Sequence, residues 1–548
     1  MGVMEPEARQ KAAFDAVVGS AEEKKLIVAG PGTGKTAIFK RLLENSSAPK
    51  EKKIVLTFIN NLKDDLDKDL GALARVLTLH GYCLHLLRSR SGLRNGLTGE
   101  FEYFPPLATL IKSDWELLNE GTAPQFVNLM RNADTGKETS FYIEQSDYYD
   151  AVSYDDSVFR VYCVMAKEET AIPSFGLILV DEYQDFNRLE ASFIGFLGER
   201  SPIVIAGDDD QALYVNLRGS SAEFIRTAAT GGRYTRFELP YCMRCTAAVV
   251  GAFDCVVRRA KGAGKLSGRI DKEYLYYPPR KGIDSRRYPK IKVVETSAQM
   301  LKANYFGRYI EQQIKLIPGD EVKESHTERF PTVLIIGPRQ YLRQVQTHLT
   351  DQGSKCRMSE RTDPMSIERA VGLRFLQGNP DDNLGWRVVL EADDPEFAET
   401  VIRESIANRE PLVQRIPPEY RDRVLNEVKG ISELPGLATE AGGAVKVEED
   451  VSRPTITLTS FEGSKGLSGQ HVFIVGLHNG DLPRNASSIE DLEICKFLVA
   501  LTRTRKRCYL LYTWRWGGQP KVPSILLKWI DAGMVERVKI TKDYWNTK

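Results

Sequence analysis

A glycine-rich run near the start of the sequence has the residue types of a phosphate-binding loop. It reads Ala-Gly-Pro-Gly-Thr-Gly-Lys-Thr over Ala29–Thr36, between a predicted strand and a predicted helix. Glycines let backbone amides curve around phosphate oxygens without Cβ clashes, and a helix N-terminus adds the positive end of its dipole. Lys35 would reach the β- and γ-phosphates, and the hydroxyl of Thr36 would bind Mg²⁺. The run therefore predicts a nucleoside-triphosphate site, although Ala29 is one methyl larger than the glycine of the strict pattern.

Two adjacent acidic residues supply the groups that hydrolysis of a bound triphosphate needs. Asp181 and Glu182 directly follow the apolar run Leu177–Val180, which is typical of a buried strand. A carboxylate at the end of a neighbouring strand can hold Mg²⁺, directly or through water, and the adjacent glutamate can polarise the attacking water. The plainer alternatives are a glycine turn that only packs a helix and an acidic pair that only solvates a loop.

Short β-branched runs, each followed by a helical pattern, predict the framework that would position these residues. This texture is typical of parallel-sheet α/β structure, and it occurs in two groups separated at about residue 250. We therefore expect two α/β cores, each with its own sheet. The predicted strands are Lys25–Ala29, Lys53–Phe58, Gly176–Val180 and Pro202–Ala206 in the first core and Thr332–Ile336, Thr455–Thr459 and Val472–Val475 in the second, and the helix after the glycine-rich run is Lys35–Glu44.

Three intervening segments differ from this texture. Residues 81–174 are mixed and aromatic, and we expect them to be helical. Residues 258–292 contain 12 Lys or Arg and 3 Asp or Glu, with four tyrosines among them, and predict an auxiliary phosphate track or, equally, a solvated linker. Residues 391–450 contain 15 Asp or Glu and 7 Lys or Arg, and we expect a helical insertion in the second core with a glycine-containing end at 440–443.

Composition limits the class of protein. The 548 residues predict about three to four domains, and a formal net charge of +1 excludes a globally basic nucleic-acid binder and an acidic disordered chain. Any nucleic-acid contact must therefore come from a local patch. The sequence has no apolar run long enough to span a membrane, its first residues are polar, and its 8 cysteines do not make a disulfide framework. We therefore expect a cytoplasmic protein without a membrane partner.

The residues around the acidic pair are specific enough to carry a resemblance. Asp-Glu-Tyr-Gln-Asp-Phe-Asn at Asp181–Asn187 and Ile-Ala-Gly-Asp-Asp-Asp-Gln-Ala-Leu-Tyr at Ile205–Tyr214 resemble the Walker B motif and motif III of superfamily 1A helicases of the UvrD/Rep/PcrA family. Further motifs follow in family order, so that the resemblance extends from about Gln10 to Thr513. Motifs Ia, Ib, IV, V and VI are resembled by Thr57–Asn60, Thr78–Gly81, Leu239–Cys245, Thr459–Leu467 and Val499–Arg503, respectively.

The resemblance implies an α/β fold of two RecA-like P-loop lobes with parallel sheets, each carrying a mainly helical insertion. The nucleotide would lie between the lobes, and hydrolysis would let the lobes part. The implied first lobe comprises residues 1–80 and 175–250 with its insertion at 81–174, and the implied second lobe comprises 251–390 and 451–548 with a short acidic insertion at 391–450.

The resemblance also assigns catalytic roles to single residues. Lys35 and Glu182 would act on the phosphates and the water, as their residue types already indicate. Gln211 would sense the γ-phosphate, and Arg244 and Arg503 would be arginine fingers. A finger of this kind is worth about 10³–10⁵ in rate in other enzymes.

Binding roles follow from the same motifs. Thr36 and Asp181 would hold Mg²⁺. Single-stranded DNA would be held by base stacking and phosphate contacts, from Phe58, Asn60, His80, Tyr214 and Arg218. ATP would be bound by Gln10, Ala29, Gly30, Pro31, Gly32, Thr33, Gly34, Lys35, Thr36 and Gly466.

Several positions depart from the family pattern. Leu217 stands where motif III has an aromatic residue before its Arg-Gly, so one base-stacking platform would be lost. Met243 replaces the tyrosine that stacks on adenine, and Glu462 and Ser468 replace the usual His and Glu of motif V. The acidic insertion is much shorter than the family's usual one, and its negative charge should repel duplex DNA, which favours a protein-contact or autoregulatory role.

Together these patterns predict an ATP-dependent DNA helicase that translocates 3′→5′ on single-stranded DNA, with its polarity implied by the subclass resemblance alone. Its partners would be single-stranded DNA and tailed duplex. Two alternatives stay open. One is a DNA-stimulated ATPase subunit of a repair or phage-defence complex, which would work with a partner nuclease and unwind little by itself. The other is a non-enzymatic DNA-binding relative, against which the intact hydrolytic residues argue.

Overall fold

Two large parallel sheets organise the chain. The computed structural model describes residues 5–58, 60–119, 121–297, 305–358, 368–430, 450–541 and 543–545. Within this part, a six-stranded sheet is followed along the chain by a seven-stranded sheet, and three two-stranded pairs accompany them. The strand pairs inside both large sheets are parallel. The α/β fold class expected from the strand–helix texture is thereby confirmed.

Strands and helices alternate along most of the chain, as parallel crossovers require. Among the described residues, no helix has the length and apolar character needed to cross a bilayer. The strands are Lys24–Ala29 (β1), Lys53–Thr57 (β2), Arg75–Thr78 (β3), Glu102–Tyr103 (β4), Ala151–Val152 (β5), Leu177–Val180 (β6), Ile203–Gly207 (β7), Thr235–Leu239 (β8), Tyr241–Cys242 (β9), Leu275–Tyr276 (β10), Ile291–Thr296 (β11), Val333–Ile336 (β12), Cys356–Met358 (β13), Ile456–Thr459 (β14), Gly469–Ile474 (β15), Thr504–Thr513 (β16), Arg515–Trp516 (β17), Gln519–Pro520 (β18) and Val535–Ile540 (β19). The helices are Pro6–Gly19 (α1), Lys35–Asn45 (α2), Asn60–Leu70 (α3), Leu79–Ser89 (α4), Leu107–Leu118 (α5), Phe126–Arg131 (α6), Lys137–Tyr148 (α7), Tyr154–Lys167 (α8), Arg188–Leu197 (α9), Val215–Arg218 (α10), Glu223–Thr230 (α11), Ala247–Gly262 (α12), Pro278–Arg287 (α13), Tyr305–Lys315 (α14), Gly319–Thr327 (α15), Arg339–Asp351 (α16), Arg369–Gly378 (α17), Asn383–Asp393 (α18), Pro395–Asn408 (α19), Pro418–Gly430 (α20) and Asp491–Thr502 (α21).

The first sheet brings the ends of its site-bearing strands to one edge. Its strand order is β3-β2-β6-β7-β1-β8. Leu26 and Val28 face one apolar cluster and Ile27 and Ala29 face another, because a parallel sheet is covered on both faces. The carboxyl ends of parallel strands meet at the same edge, so Ala29 and Val180 deliver the glycine-rich loop and the acidic pair to the same place.

The second sheet has the order β13-β14-β12-β15-β16-β11-β19. The three strands predicted for this core are present as β14, β12 and β15, which are adjacent in the sheet. The ten-residue strand β16 is not among the predicted strands, because it begins with the charged run Thr-Arg-Lys-Arg. It follows α21 directly, and Arg503 lies at that junction.

The helices inserted in the two sheets pack against one another. In chain order, α5 and α7 lie between β3 and β6 of the first sheet, and α17–α20 lie between β13 and β14 of the second. The two groups meet where α19 contacts α5. The helix α17 begins at Arg369 and α18 runs across residue 391, so the helical segment starts earlier than the predicted insertion at 391–450. The glycine-containing end at 440–443 lies outside the described residues. The domain limits themselves stay predictions.

A buried ion pair joins these two groups of helices. The Nε of Arg387 donates to Asp114 Oδ1 at 3.2 Å, and the Tyr149 hydroxyl donates to Asp114 Oδ2 at 2.8 Å. Burial raises the pKa of Asp114, and the charge of Arg387 opposes that rise. An exposed pair, Arg409 with Glu144 at 2.8 Å, crosses the same boundary. The helices α17–α20, called the acidic helices below, are therefore attached to the first insertion by one buried and one exposed ion pair.

We expect the Arg387→Met substitution to lower the free energy of unfolding by about 3–5 kcal/mol, because it leaves the Asp114 carboxylate buried without its cation. Urea denaturation followed by tryptophan fluorescence measures this, since Trp386 is buried beside the pair. The matched control is Arg409→Met, which removes the exposed pair and should cost less than about 1 kcal/mol. Equal losses for both variants would contradict the prediction.

Candidate active site

The glycine-rich loop between β1 and α2 forms one wall of a cavity of about 580 Å³. Gly32 and Gly34 adopt left-handed φ values of 71° and 98°, which glycine tolerates without strain. A Cβ on Gly32 would come within 2.5 Å of the Arg244 Cβ, and a Cβ on Gly34 would come within 2.6 Å of the Met243 side chain. The N-cap of α2 is Gly34, which has no side chain to occupy the first amides of the helix. Those N–H groups are therefore available to an anion.

The acidic pair lies against the lysine of this loop. The Lys35 Nζ is 2.9 Å from Glu182 Oε1, and both side chains are largely buried. Glu182 has a left-handed φ of 53°, which is a strained conformation for a residue with a Cβ. The Nε2 of Gln184 donates to Glu182 Oε2 at 2.6 Å. These contacts hold the Glu182 carboxylate on the wall of the cavity.

Electrostatics distinguish the two acids. Burial alone would raise the pKa of Glu182, but Lys35 and Lys465 hold the pKa of that carboxyl below its usual value. Burial and the neighbouring Glu182 charge raise the pKa of Asp181 to about 6. Burial would lower the pKa of Lys35, yet Glu182 and Asp181 raise it. Glu182 is therefore held ionised by the two lysines, whereas Asp181 is a carboxyl whose ionised form a bound cation would stabilise.

The opposite wall of the cavity comes from the second sheet. Arg503 donates from Nη2 to Gln211 Oε1 at 3.1 Å, which joins the two sheets across the cavity. Its Nε donates to the carbonyl oxygen of Val499 at 3.0 Å, so the side chain is fixed against its own helix. Burial and the Arg244 charge lower the pKa of Arg503 to about 10, which leaves the guanidinium protonated at neutral pH. Arg244 and Arg503 both line the cavity.

Sequence reasoning missed a second cation that the second sheet contributes. Lys465 is buried, and its Nζ contacts the Asp185 carboxylate. The same Nζ donates to the Gln211 carbonyl oxygen at 2.6 Å and lies 3.5 Å from Glu182 Oε2. The available signal was its place in the Gly-Ser-Lys-Gly run that resembles motif V. That run does not reveal its partners, which lie far away in sequence.

The predicted nucleotide residues other than Gln10 and Ala29 line this cavity, and the donors suit the expected ligands. The Nε2 of Gln10 donates to the Thr33 carbonyl oxygen at 3.2 Å, and its Oε1 is buried with no partner among the residues that the structure describes. Ala29 ends β1 beneath the loop. A hydroxyl from Thr36 and a carboxylate from Asp181 are the hard oxygen donors that Mg²⁺ prefers. The cavity is lined by Gly30, Pro31, Gly32, Thr33, Gly34, Lys35, Thr36, Asp181, Glu182, Gln211, Arg244, Gly466 and Arg503, among others.

The predicted DNA residues form one stack, but most of its ring surface is buried. The Arg218 guanidinium lies 4.3 Å from the centre of the Phe58 ring. The centres of the Phe58 and Tyr214 rings are 5.3 Å apart. The Arg218 Nη2 is 3.2 Å from His80 Nε2. Burial and the Arg218 charge lower the pKa of His80 to about 3, so its imidazole is neutral at physiological pH. Asn60 begins α3, and its side chain lies outside the described residues.

A more exposed tyrosine from the first insertion extends this stack. Tyr154 begins α8, and its ring lies edge-on to His80 at 5.7 Å and to Tyr103 at 5.3 Å. Tyr154 is 37% exposed, whereas Phe58 is 5% exposed. Sequence reasoning missed Tyr154 because the insertion was expected only to be helical. The local signal was the Ser-Tyr-Asp-Asp run, whose capping box starts the helix at this tyrosine.

Two cations of the basic stretch at 258–292 are buried in ion pairs and do not form an open phosphate track. Its most buried cations, Arg269 and Lys272, are bound to carboxylates of Asp208–Asp210. A count of charges in the sequence does not show whether a cation already has an internal partner, and that is why the prediction of a track is wrong for these residues. The members of the stretch that form ion pairs are Arg258, Arg259, Lys261, Arg269, Lys272, Lys281 and Arg287.

Comparison with protein families matches the part of the chain that carries the first wall of the cavity. A family model described as an AAA domain matches residues 10–217. This range contains the glycine-rich loop, the acidic pair and Gln211. Arg503 and Lys465 lie beyond it, so this family model does not cover the second wall.

Comparison with curated proteins finds helicases at low identity. The chain is 25% identical over 239 residues to the ATP-dependent DNA helicase PcrA of Staphylococcus aureus, which covers 36% of this chain and 33% of the relative. It is 24% identical over 289 residues to DNA helicase II of Salmonella typhimurium and to that of Escherichia coli, which covers 45% of this chain and 40% of each relative. The chain therefore spans well under half the length of these relatives.

Proposed function

Because this chain is a UvrD/Rep/PcrA-like protein of helicase superfamily 1, we propose that it is an ATP-dependent DNA helicase or translocase that moves 3′→5′ on single-stranded DNA. One observation carries the proposal. Arg503, between α21 and β16 of the second core, donates from Nη2 to Oε1 of Gln211, which follows β7 of the first core, at 3.1 Å, on a cavity that Lys35 and Glu182 also line. A nucleotide in this cavity would touch both sheets, which is what coupling of hydrolysis to relative motion requires.

The residues of the cavity divide the chemistry among them. A triphosphate on the loop would compete with Glu182 for Lys35, because its terminal phosphates carry more negative charge than one carboxylate. Glu182, still held by Gln184, would then orient a water molecule and accept its proton. Arg503 and Arg244 would stabilise the charge on the phosphoryl oxygens in the transition state.

The remaining site residues serve binding and coupling. Thr36 and Asp181 would hold Mg²⁺, which when bound neutralises charge on the β- and γ-phosphate oxygens. Lys465 binds Asp185, Gln211 and Glu182 of the first sheet, so separation of the sheets would break these contacts. Loss of the terminal phosphate would remove the bridge between the two walls and favour that separation.

The test is a comparison of ATP hydrolysis with and without single-stranded DNA, followed by strand separation of duplexes with 3′ or 5′ tails. We expect DNA to stimulate hydrolysis at least about tenfold, since Lys465 lies 5.7 Å from the Tyr214 ring of the proposed DNA stack and 3.5 Å from Glu182 Oε2 on the cavity wall. We also expect only the 3′-tailed duplex to be separated. Equal hydrolysis rates with and without DNA would contradict the proposal.

A second candidate function is a DNA-stimulated ATPase subunit that unwinds little by itself and works with a partner such as a nuclease. The acidic helices favour it, because Arg387 and Asp114 fix them to the first insertion and the negative charge of residues 391–450 should repel duplex DNA. DNA-stimulated hydrolysis without strand separation would support this candidate, and efficient unwinding by the isolated chain would exclude it.

We expect Tyr154→Ala to weaken binding of single-stranded DNA by about 1–3 kcal/mol, because stacking of one base on an aromatic ring is worth that much. Fluorescence anisotropy of a labelled oligothymidine measures the change. The control Tyr154→Phe keeps the ring and should bind like the wild type. ATP hydrolysis without DNA should be unchanged in both variants, since Tyr154 lies outside the residues that line the nucleotide cavity. Equal affinity of Tyr154→Ala and the wild type would show that the ring does not contact DNA.

A further inference from the structure

A short segment between α12 and β10 contacts the glycine-rich loop and the helix α21, whose C-cap is the cavity residue Arg503. At its start, the backbone N–H of Leu266 donates to Asp491 Oδ1 of α21 at 2.9 Å. At its end, the Tyr274 hydroxyl donates to the carbonyl oxygen of Pro31 in the glycine-rich loop at 2.9 Å. A Cβ on Gly30 would come within 2.7 Å of the Tyr274 ring, so this ring packs directly on the loop. The segment 266–274 therefore links α21 to the glycine-rich loop.

The middle of this segment binds three consecutive aspartates. The Lys272 Nζ lies 2.7 Å from Asp208 Oδ1, 2.6 Å from Asp209 Oδ1 and 3.0 Å from Asp210 Oδ2. The side chain of Lys272 is only 3% exposed. Arg269 binds Asp210 through two hydrogen bonds of 2.7 Å.

Arg226 contributes a third cation to this cluster, since its Nε donates to Asp209 Oδ2 at 3.1 Å. Three cations thus balance three carboxylates in the interior, where an unpaired charge is costly. The cluster is a charge-neutral unit, and Lys272 is the member that contacts all three aspartates.

This cluster sets the orientation of the predicted γ-phosphate sensor. The Nε2 of Gln211 donates to Asp208 Oδ2 at 2.9 Å, while its Oε1 accepts from Arg503 at 3.1 Å. Lys272 contacts the other oxygen of the same Asp208 carboxylate at 2.7 Å, and the Asp210 backbone N–H donates to that oxygen at 3.1 Å. If that carboxylate rotated, the Gln211 amide would lose its donor contact, and nothing in this set of bonds would keep its oxygen toward Arg503.

We propose that Lys272 is a positioning residue for nucleotide hydrolysis, which fixes the Asp208 carboxylate, through it the Gln211 amide, and thereby the approach of Arg503. The inference rests on the proposed hydrolysis of ATP and adds a residue that lies outside every motif of the resemblance. Because Leu266 and Tyr274 tie the same segment to α21 and to the phosphate loop, movement of the second sheet reaches the sensor through Lys272.

The experiment compares full-length wild type with Lys272→Met, Lys272→Arg and the control Lys261→Met. Lys261 belongs to the same basic stretch, but its ion pair, with Asp271 at 2.8 Å, is exposed. Each protein is assayed for kcat and KM of ATP hydrolysis with saturating oligothymidine, for affinity toward a fluorescent ADP, and for thermal unfolding. We expect Lys272→Met to lower kcat about 10- to 100-fold, because small errors in the position of a catalytic group cost that much. The KM for ATP and the affinity for ADP should stay within about threefold of the wild-type values, since the substitution does not affect ground-state binding of the nucleotide.

Two further variants make the result decisive. Lys272→Arg keeps the charge and should retain a higher kcat than Lys272→Met. The double variant Lys272→Met/Asp209→Asn restores the charge balance of the cluster, so it should fold like the wild type while kcat stays low, because Asp208 still lacks its cation.

Several results would overturn the inference. An unchanged kcat in Lys272→Met, or a kcat restored in the charge-balanced double variant, would show that Lys272 does not position Gln211. A parallel loss of kcat and ADP affinity in Lys272→Met would make Lys272 a purely structural residue. Failure of both Lys272→Met and Lys272→Met/Asp209→Asn to fold would lead to the same conclusion. A wild type that does not hydrolyse ATP would instead contradict the proposed function, so the two failures are distinguishable.

Discussion

Replacement of Arg503 by alanine is expected to lower the DNA-stimulated kcat for ATP hydrolysis about 10³- to 10⁵-fold, which is the range for loss of an arginine finger. The physical reason is that Arg503 brings a buried cation from the second sheet to the cavity at the point where Gln211 lies. Its charge matters most when charge develops on the phosphoryl oxygens in the transition state. Nucleotide affinity should change much less than kcat, because the loop amides and Lys35 remain.

Steady-state hydrolysis and binding of a fluorescent nucleotide measure these two effects. The control is Arg507→Ala, which removes an arginine from β16, the strand that follows Arg503, where Arg507 lies 5.3 Å from the Tyr288 ring and 3.8 Å from Glu536. This variant should hydrolyse ATP at nearly the wild-type rate. A loss below about tenfold in Arg503→Ala, with the fold intact by circular dichroism, would exclude a finger role.

The Glu182→Gln substitution is expected to lower kcat about 10²- to 10⁴-fold, because the amide cannot accept the proton of the attacking water. ATP affinity should be kept or increased, since Lys35 would lose the carboxylate that lies 2.9 Å from its Nζ and would be free for phosphate. The variant should therefore bind ATP and hold it without turnover.

Single-turnover hydrolysis and equilibrium binding of labelled ATP separate the two parts of this prediction. Glu199→Gln is the matched control, because Glu199 pairs on the exposed surface with Arg233 and Lys24. It should leave both rate and affinity unchanged. A Glu182→Gln protein that has lost ATP binding along with hydrolysis would mean that Glu182 shapes the site rather than acting on the water.

The sequence by itself predicts the parts of this protein whose chemistry is local in the chain. The residues Ala29–Thr36 form a strand end, a loop and a helix start in succession, so glycine spacing alone indicates the phosphate site. Asp181 and Glu182 follow an apolar strand directly, and the buried strand runs predict two parallel sheets. Each of these inferences needs only the backbone geometry of neighbouring residues.

Only the tertiary structure decides which distant charges meet. Lys465 could be recognised as part of a motif, but its contacts with Asp185 and Glu182 exist only because loops of the two α/β cores pack together. Lys272 looks like a member of a phosphate-binding stretch until Asp208–Asp210 is found to neutralise it. The physical reason is that sequence gives the number of charges, whereas the energy of a charge depends on its burial and on its partner, and both are set by packing between segments hundreds of residues apart or on different sheets.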